Sequence, residues 1–138
     1  MEWPAMLKAK YEPIMRAKYC DIGWLGHGWR PIVEGLLDEL LKYEGQINIG
    51  QIKEKFGGLR VYIDMMEDAV DGDAWDHPAY GLIGAAENRC FEVCEECGGV
   101  DDVLVEPAEG HYWVKTMCSV CRGNYDEVLK AKWAEAGA

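Results

Sequence analysis

Trp3, Leu7, Tyr11 and Ile14 recur at helical intervals, so residues 3–18 predict a helix with one apolar face. Pro13 falls inside that run, lacks an N–H, and is expected to break or kink the helix near Glu12. Gly23 to Trp29 reads as a loop, with glycines for turns and tryptophans to anchor it. The clearest helix follows. Pro31 suits its first turn, and Ile32, Val33, Leu36, Leu37, Leu40 and Leu41 form one stripe. Glu34, Asp38, Glu39 and Lys42 lie opposite, and Gly45 ends the helix.

Between residues 47 and 64 the pattern changes to alternation, which predicts a β-hairpin. A two-residue turn at Gly57-Gly58 pairs Phe56 with Leu59, Glu54 with Val61 and Ile52 with Ile63. That face is mostly apolar and is expected to pack on the helices. The other face carries Lys53, Lys55, Arg60 and Tyr62. Pro78 then opens a helix with Leu82, Ile83, Ala86, Cys90 and Phe91 along it. Short strands are expected at Val103–Val105 and Tyr112–Val114, joined by Pro107 to Gly110. Asn124-x-x-Glu127 resembles a capping box that starts a last helix, with Val128, Leu129 and Trp133 facing inward. The elements give an α+β protein: N-terminal helices packed on a β-hairpin, a connecting helix, a C-terminal two-stranded ribbon and a terminal helix. Residues 1–89 form the helical and hairpin part and residues 90–138 the ribbon with its helix, together one compact unit.

Candidate chemistry changes this picture at four cysteines. Cys94-x-x-Cys97 and Cys118-x-x-Cys121 are separated by one short hairpin, which is the spacing of a zinc ribbon. Gly98 suits the sharp turn of the first knuckle. Four thiolates close a tetrahedral shell round Zn²⁺, so the predicted ion is structural. The C-x-x-C pairs and the absence of a basic, apolar leader after Met1 argue for thiols in a reducing cytoplasm. Cys20 and Cys90 are left as small core residues. No stretch approaches the about 20 apolar residues of a membrane span.

Charge is segregated. Of the net −11, residues 64–110 carry fourteen acids and one base, while the rest of the chain is near neutral. Asp64, Glu67, Asp68, Asp71, Asp73 and Asp76 are the acidic run that is expected to meet a partner with a basic surface. Lys53, Lys55, Arg60 and Tyr62, with Trp113 and Lys115 on the ribbon, form a second candidate surface, for nucleic acid.

Three motifs together resemble a group of small phage and prophage proteins: Gly26-x-Gly28-Trp29, the hairpin Lys-Glu-Lys-Phe-Gly-Gly-Leu-Arg at 53–60, and the C-terminal ribbon. The likeness covers residues 23 to 122. The group commonly has a Gly-Trp pair before the third cysteine; here two residues separate Gly110 from Trp113. The resemblance implies phage origin and a bacterial host cytoplasm, and it implies no activity.

Enzymatic alternatives have weaker marks. Asp76-His77 is reminiscent of an HNH-type nuclease, but such a pair falls between the knuckles in that group and precedes both here. Asp71-x-Asp73-x-x-Asp76 lacks calcium-loop spacing. Ser119, the only serine, sits inside a knuckle, and no phosphate-binding glycine motif is present. The expected function is therefore non-enzymatic: a phage-encoded zinc protein that binds, and inhibits, a host defence or nucleic-acid enzyme through its acidic surface. A nucleic-acid-binding module is the alternative, and an HNH-like nuclease the second.

Overall fold

The computed structural model describes residues 3–16, 20–66, 76–107 and 112–136. Its architecture is α+β, in two sheets and four α-helices among the described residues. The N-terminal run is more broken than its periodicity predicts. Helix α1 spans only Leu7–Lys10, and a 3-10 turn at Glu12–Ile14 follows. Pro13 explains the change, because it cannot donate an α-helical hydrogen bond. Trp3, Leu7, Tyr11 and Ile14 are nonetheless all buried. The Tyr11 hydroxyl donates to Asp38 Oδ1 at 2.7 Å, tying this segment to the next helix.

Strand β1 (Asp21–Ile22) lies parallel to β2 (Ile47–Lys55), which pairs antiparallel with β3 (Gly58–Met65). Between β1 and β2 runs α2 (Arg30–Leu40), entered through a 3-10 turn at His27–Trp29. Val33, Leu36, Leu37 and Leu40 are buried, and Gly45 turns the chain into β2 at φ +87°. The region from Gly23 to Trp29 is therefore not all loop-anchoring: Trp29 is fully buried, but Trp24 is 57% exposed.

The hairpin differs from its predicted register. Lys55 pairs with Gly58, Glu54 with Leu59 and Ile52 with Val61, so Phe56-Gly57 forms the turn. Both turn residues have positive φ, +53° and +78°. The slip moves each partner by two residues, so every side chain that remains paired keeps its face. Ile52, Leu59 and Val61 are buried as expected, but Phe56 protrudes at 66% exposure. Gly50 is an extra residue between the Ile49–Ile63 and Gln51–Tyr62 pairs. Such a bulge resets the alternation, which lets Ile47, Ile49 and Ile52 all reach the core.

Helix α3 (Pro78–Cys90) packs across β3 and α2. His77 caps it: Nδ1 accepts the Ala79 N–H at 3.0 Å, and Nε2 lies 2.8 Å from Gln46 Oε1. With Nδ1 accepting, Nε2 carries the proton and donates to Gln46. Cys20 and Cys90 are core residues, and burial pushes the Cys90 thiol up to about 12. Among the described residues no helix is long and apolar enough to cross a membrane.

The C-terminal sheet pairs β4 (Leu104–Pro107) with β5 (Val114–Met117), both starting later than predicted. Helix α4 (Ser119–Ala136) starts earlier. Asn124 therefore lies inside it rather than capping it. Val128 and Trp133 are exposed, Trp133 at 61%, instead of facing inward. The helix is held at its base, where Arg122 donates to the carbonyls of Glu106, Leu104 and Lys115.

Candidate metal centre

Cys94 follows the last turn of α3, and Cys97 lies three residues on. Cys118 follows β5, and Cys121 sits in the first turn of α4. The four sulfurs lie within 4.8 Å of one another, close enough to hold a metal ion. Cys97 Sγ and Cys118 Sγ are 3.8 Å apart, the edge of a tetrahedron with metal–sulfur bonds of about 2.3 Å. The first knuckle is closed by Gly98 N–H to Cys94 O at 2.9 Å, with Gly98 at φ +79°. Backbone N–H groups point at sulfur: Gly99 to Cys97 at 3.3 Å and Cys121 to Cys118 at 3.4 Å.

Such donors favour thiolate. The Cys121 N–H is the main reason the Cys118 thiol is held down, to about 7. Cys121 is pushed the other way, by burial and then by the neighbouring sulfurs. Four sulfurs at this spacing cannot all ionise without a cation among them, and a dication removes that conflict. The donor set therefore fits a metal, and it fits a soft or borderline one.

The knuckle is held from behind by the glycine loop. Gly28 N–H donates to Glu95 O at 2.9 Å, and the Trp29 indole donates to Val93 O at 2.9 Å. A Cβ on Gly28 would lie 2.0 Å from Cys94 O, and one on Gly26 would lie 2.0 Å from Glu95 O. These glycines permit backbone-to-backbone contact rather than only a turn. Glu95, between the first two cysteines of the cluster, is completely buried. Its N–H bonds Thr116 O, and its Oε2 accepts the Thr116 N–H at 3.1 Å. Its Oε1 pairs with the Lys115 ammonium. Burial raises the Glu95 carboxyl, and Lys115 opposes that.

The hairpin tip completes the enclosure. Thr116 Oγ1 donates to Gly57 O at 2.5 Å, and a Cβ on Gly57 would meet Thr116 Oγ1 at 3.0 Å and Val114 at 3.1 Å. A Cβ on Gly58 would meet the Phe91 ring at 2.7 Å. These contacts fix the turn at Phe56-Gly57.

The other sequence-predicted residues are distributed as follows. Lys53 and Arg60 pair across β2 and β3, and Lys53 Nζ stands 5.8 Å over the Tyr62 ring. Lys55 is exposed at the tip. Lys115 does not join them. It is buried, paired with Glu95, and 4.8 Å from the Trp24 ring. Trp113 donates to the Tyr125 hydroxyl at 2.8 Å, so it serves α4. Asp64 and Asp76 are exposed; Glu67, Asp68, Asp71 and Asp73 lie outside the described residues. The Asp76-His77 pair places its histidine in a helix cap with both ring nitrogens engaged. Glu95 and Lys115 were not separable in the sequence from exposed neighbours such as Glu96; only burial distinguishes them.

Comparison of the chain with protein-family models, with characterised proteins and with solved structures finds no match.

Proposed function

We propose that this chain is a zinc-stabilised, non-enzymatic protein of phage origin that engages a basic surface on a host protein in the bacterial cytoplasm and inhibits it. Zinc is the ion favoured by four thiol donors at ribbon spacing. Four thiolates also leave no position for a reacting water, so the metal organises a surface rather than performing chemistry.

The observation that carries the reading is where the acids of residues 64–110 stand. Glu96 is exposed inside the first knuckle and Asp101 and Asp102 just after it in sequence, Glu106 is exposed on β4, Glu92 is exposed but paired with Arg89, and Asp64 and Asp76 are exposed at the ends of the acidic run. Glu95 alone among the described acids of this stretch is completely buried. A Zn²⁺ held by four thiolates adds about −2 at the same place. An excess of exposed like charge raises association rates with a basic partner and disfavours acidic ones.

The test starts with tagged protein in bacterial lysate, with and without nuclease, and identification of the retained proteins by mass spectrometry. A stoichiometric host protein that survives nuclease and is released by high salt is the expected result. Charge reversal at Asp68, Asp71 and Asp73, and separately at Glu96, Asp101 and Asp102, is then expected to abolish binding to that purified partner. Unchanged affinity in both variants would sink the reading.

A further inference from the structure

Helix α3 carries two interior glycines that its own stability does not favour. Gly81 and Gly84 each cost about 1 kcal/mol relative to alanine in a helix. Neither has positive φ, and a Cβ on either would meet nothing within 4 Å. Gly84 lines a cleft of about 290 Å³ between α3 and the outer edge of β3, into open space that a side chain there would enter. Arg60, Tyr62, Ile63, Tyr80 and Glu87 also line it. The volume lies just below that of small-ligand sites, about 300–1,000 Å³.

The lining has a definite chemistry. Arg60 is half-buried, yet its guanidinium makes no ion pair or hydrogen bond with any described residue. A cation in that position is complementary to an anion, and its planar fork suits phosphate. Tyr62 and Tyr80 contribute aromatic surface. Glu87 Oε2 accepts the Val61 N–H at 3.2 Å, and its other oxygen has no partner among the described residues. A carboxylate there accepts from an exocyclic amine such as that of cytosine. Beyond the cleft, Lys53 stands beside Arg60 in the β2–β3 pairing, and Lys55 follows it towards the hairpin tip.

The geometry points to a nucleotide site: a base of single-stranded nucleic acid enters the α3–β3 cleft at Gly84, its phosphate meets Arg60, and adjoining phosphates meet Lys53 and Lys55. Aromatic surface with a flanking cation row is the general solution for single strands. A duplex keeps its bases stacked and cannot supply one to a cleft. The net charge of −11 does not exclude this, because screening limits its reach to about 10 Å at 0.1 M salt. The site shares no residue with the acidic surface proposed above, so each stands or falls alone.

The test titrates full-length, zinc-loaded protein with a labelled single-stranded oligocytidylate of about 12 nucleotides, the matching duplex, and cytidine monophosphate. The expected order is single strand over duplex by at least about tenfold, with affinity falling as salt rises. Arg60→Gln is expected to reduce the salt slope by about one. Gly84→Leu fills the cleft while removing a helix glycine, so affinity drops about tenfold and Tm does not fall. Charge reversal at Asp68, Asp71 and Asp73 is expected to leave this binding intact.

No single-strand binding at low salt overturns the proposal, as does equal binding of duplex or unchanged binding by Gly84→Leu. Binding of the mononucleotide as tight as that of the strand overturns it in favour of a free nucleotide. Binding of an extended-peptide library that is lost in Gly84→Leu, with no oligonucleotide binding, overturns it in favour of strand addition at β3.

Discussion

Tyr11 shows how one polar atom can make a core contact conditional on pH. Its ring is buried, and its hydroxyl bonds the Asp38 carboxylate. Burial first, and then Asp38 and Glu34, hold the phenol above its ordinary value of 10.0. A group whose folded value is raised contributes stability that is complete below its unfolded value and is lost as pH rises through the folded one. Stability is therefore expected to decline above pH 10. Tyr11→Phe should cost about 1–2 kcal/mol near neutrality, and its deficit should shrink in alkali. Urea denaturation of both proteins below and above pH 10 measures this; a constant difference contradicts it. Cys90 contributes a decline of the same sign to both proteins, so the comparison removes it.

The Glu95–Lys115 pair has a larger consequence at the same scale. Removing one member of a buried pair strands the other charge, at a cost of about 3–5 kcal/mol. Lys115→Met is expected to show a loss of that order in chemical denaturation. The double variant Glu95→Gln, Lys115→Met should recover a substantial part of it, since no buried charge is then unpaired. A double variant no better than Lys115→Met would mean the pair is not the source of the loss.

At the scale of elements, the β2–β3 turn departs most from local preference. A bulky residue at φ +53° is unusual, and the left-handed conformation costs about 1–2 kcal/mol for residues other than glycine. Asparagine tolerates it better, and Asn-Gly is the favoured two-residue turn of this kind. Phe56 buries little in return, being two-thirds exposed. Phe56→Asn is therefore expected to raise stability by about 1 kcal/mol, measured as a higher denaturation midpoint at unchanged slope. A lower midpoint would show that the exposed ring contributes more than the strain removes. The turn sits there because glycines at 57 and 58 are both needed elsewhere, one against Thr116 and one against the Phe91 ring. The same logic governs α4. Its start is set by the second cysteine pair and by Arg122, not by the capping pattern at Asn124.

Across the whole molecule, the four-cysteine cluster and its surroundings join the two sheets. The knuckle touches the Gly26–Trp29 loop through its backbone, β5 through Glu95, and the hairpin tip through Thr116. Chelation is therefore expected to loosen more than the cysteine segments. Because metal binding supplies folding free energy to such units, hydrogen exchange should accelerate over residues 93–98, 114–121 and 26–29. The α2–β2–β3 core, whose buried Leu37, Leu40, Ile49 and Ile52 lie away from these contacts in sequence, should keep its protection. Uniform loss of protection would instead show that the metal supports the entire fold cooperatively. Restoring Zn²⁺ should restore the original pattern.

Periodicity and spacing alone determined the helices opened by Pro31 and Pro78, the existence of the hairpin, the inward face of Ile52, Leu59 and Val61, and the clustering of the four cysteines. These follow from local rules: a helix repeats its face every 3.6 residues, a strand every two, and C-x-x-C can place both sulfurs on one ion. Only the tertiary structure decided the turn position, the parallel β1, the burial of Lys115, the exposure of Trp24, Trp133 and Phe56, and the early start of α4. Each of these depends on a residue distant in sequence. Gly28 needs the Cys94 carbonyl, Gly57 needs Thr116, Lys115 needs Glu95 and Gly58 needs Phe91. A two-residue strand has no period to read, and a lysine that neutralises a buried glutamate has the same spelling as one in water. The open space above Gly84 was likewise invisible, because a glycine marks where a side chain is missing but not what would fill the gap.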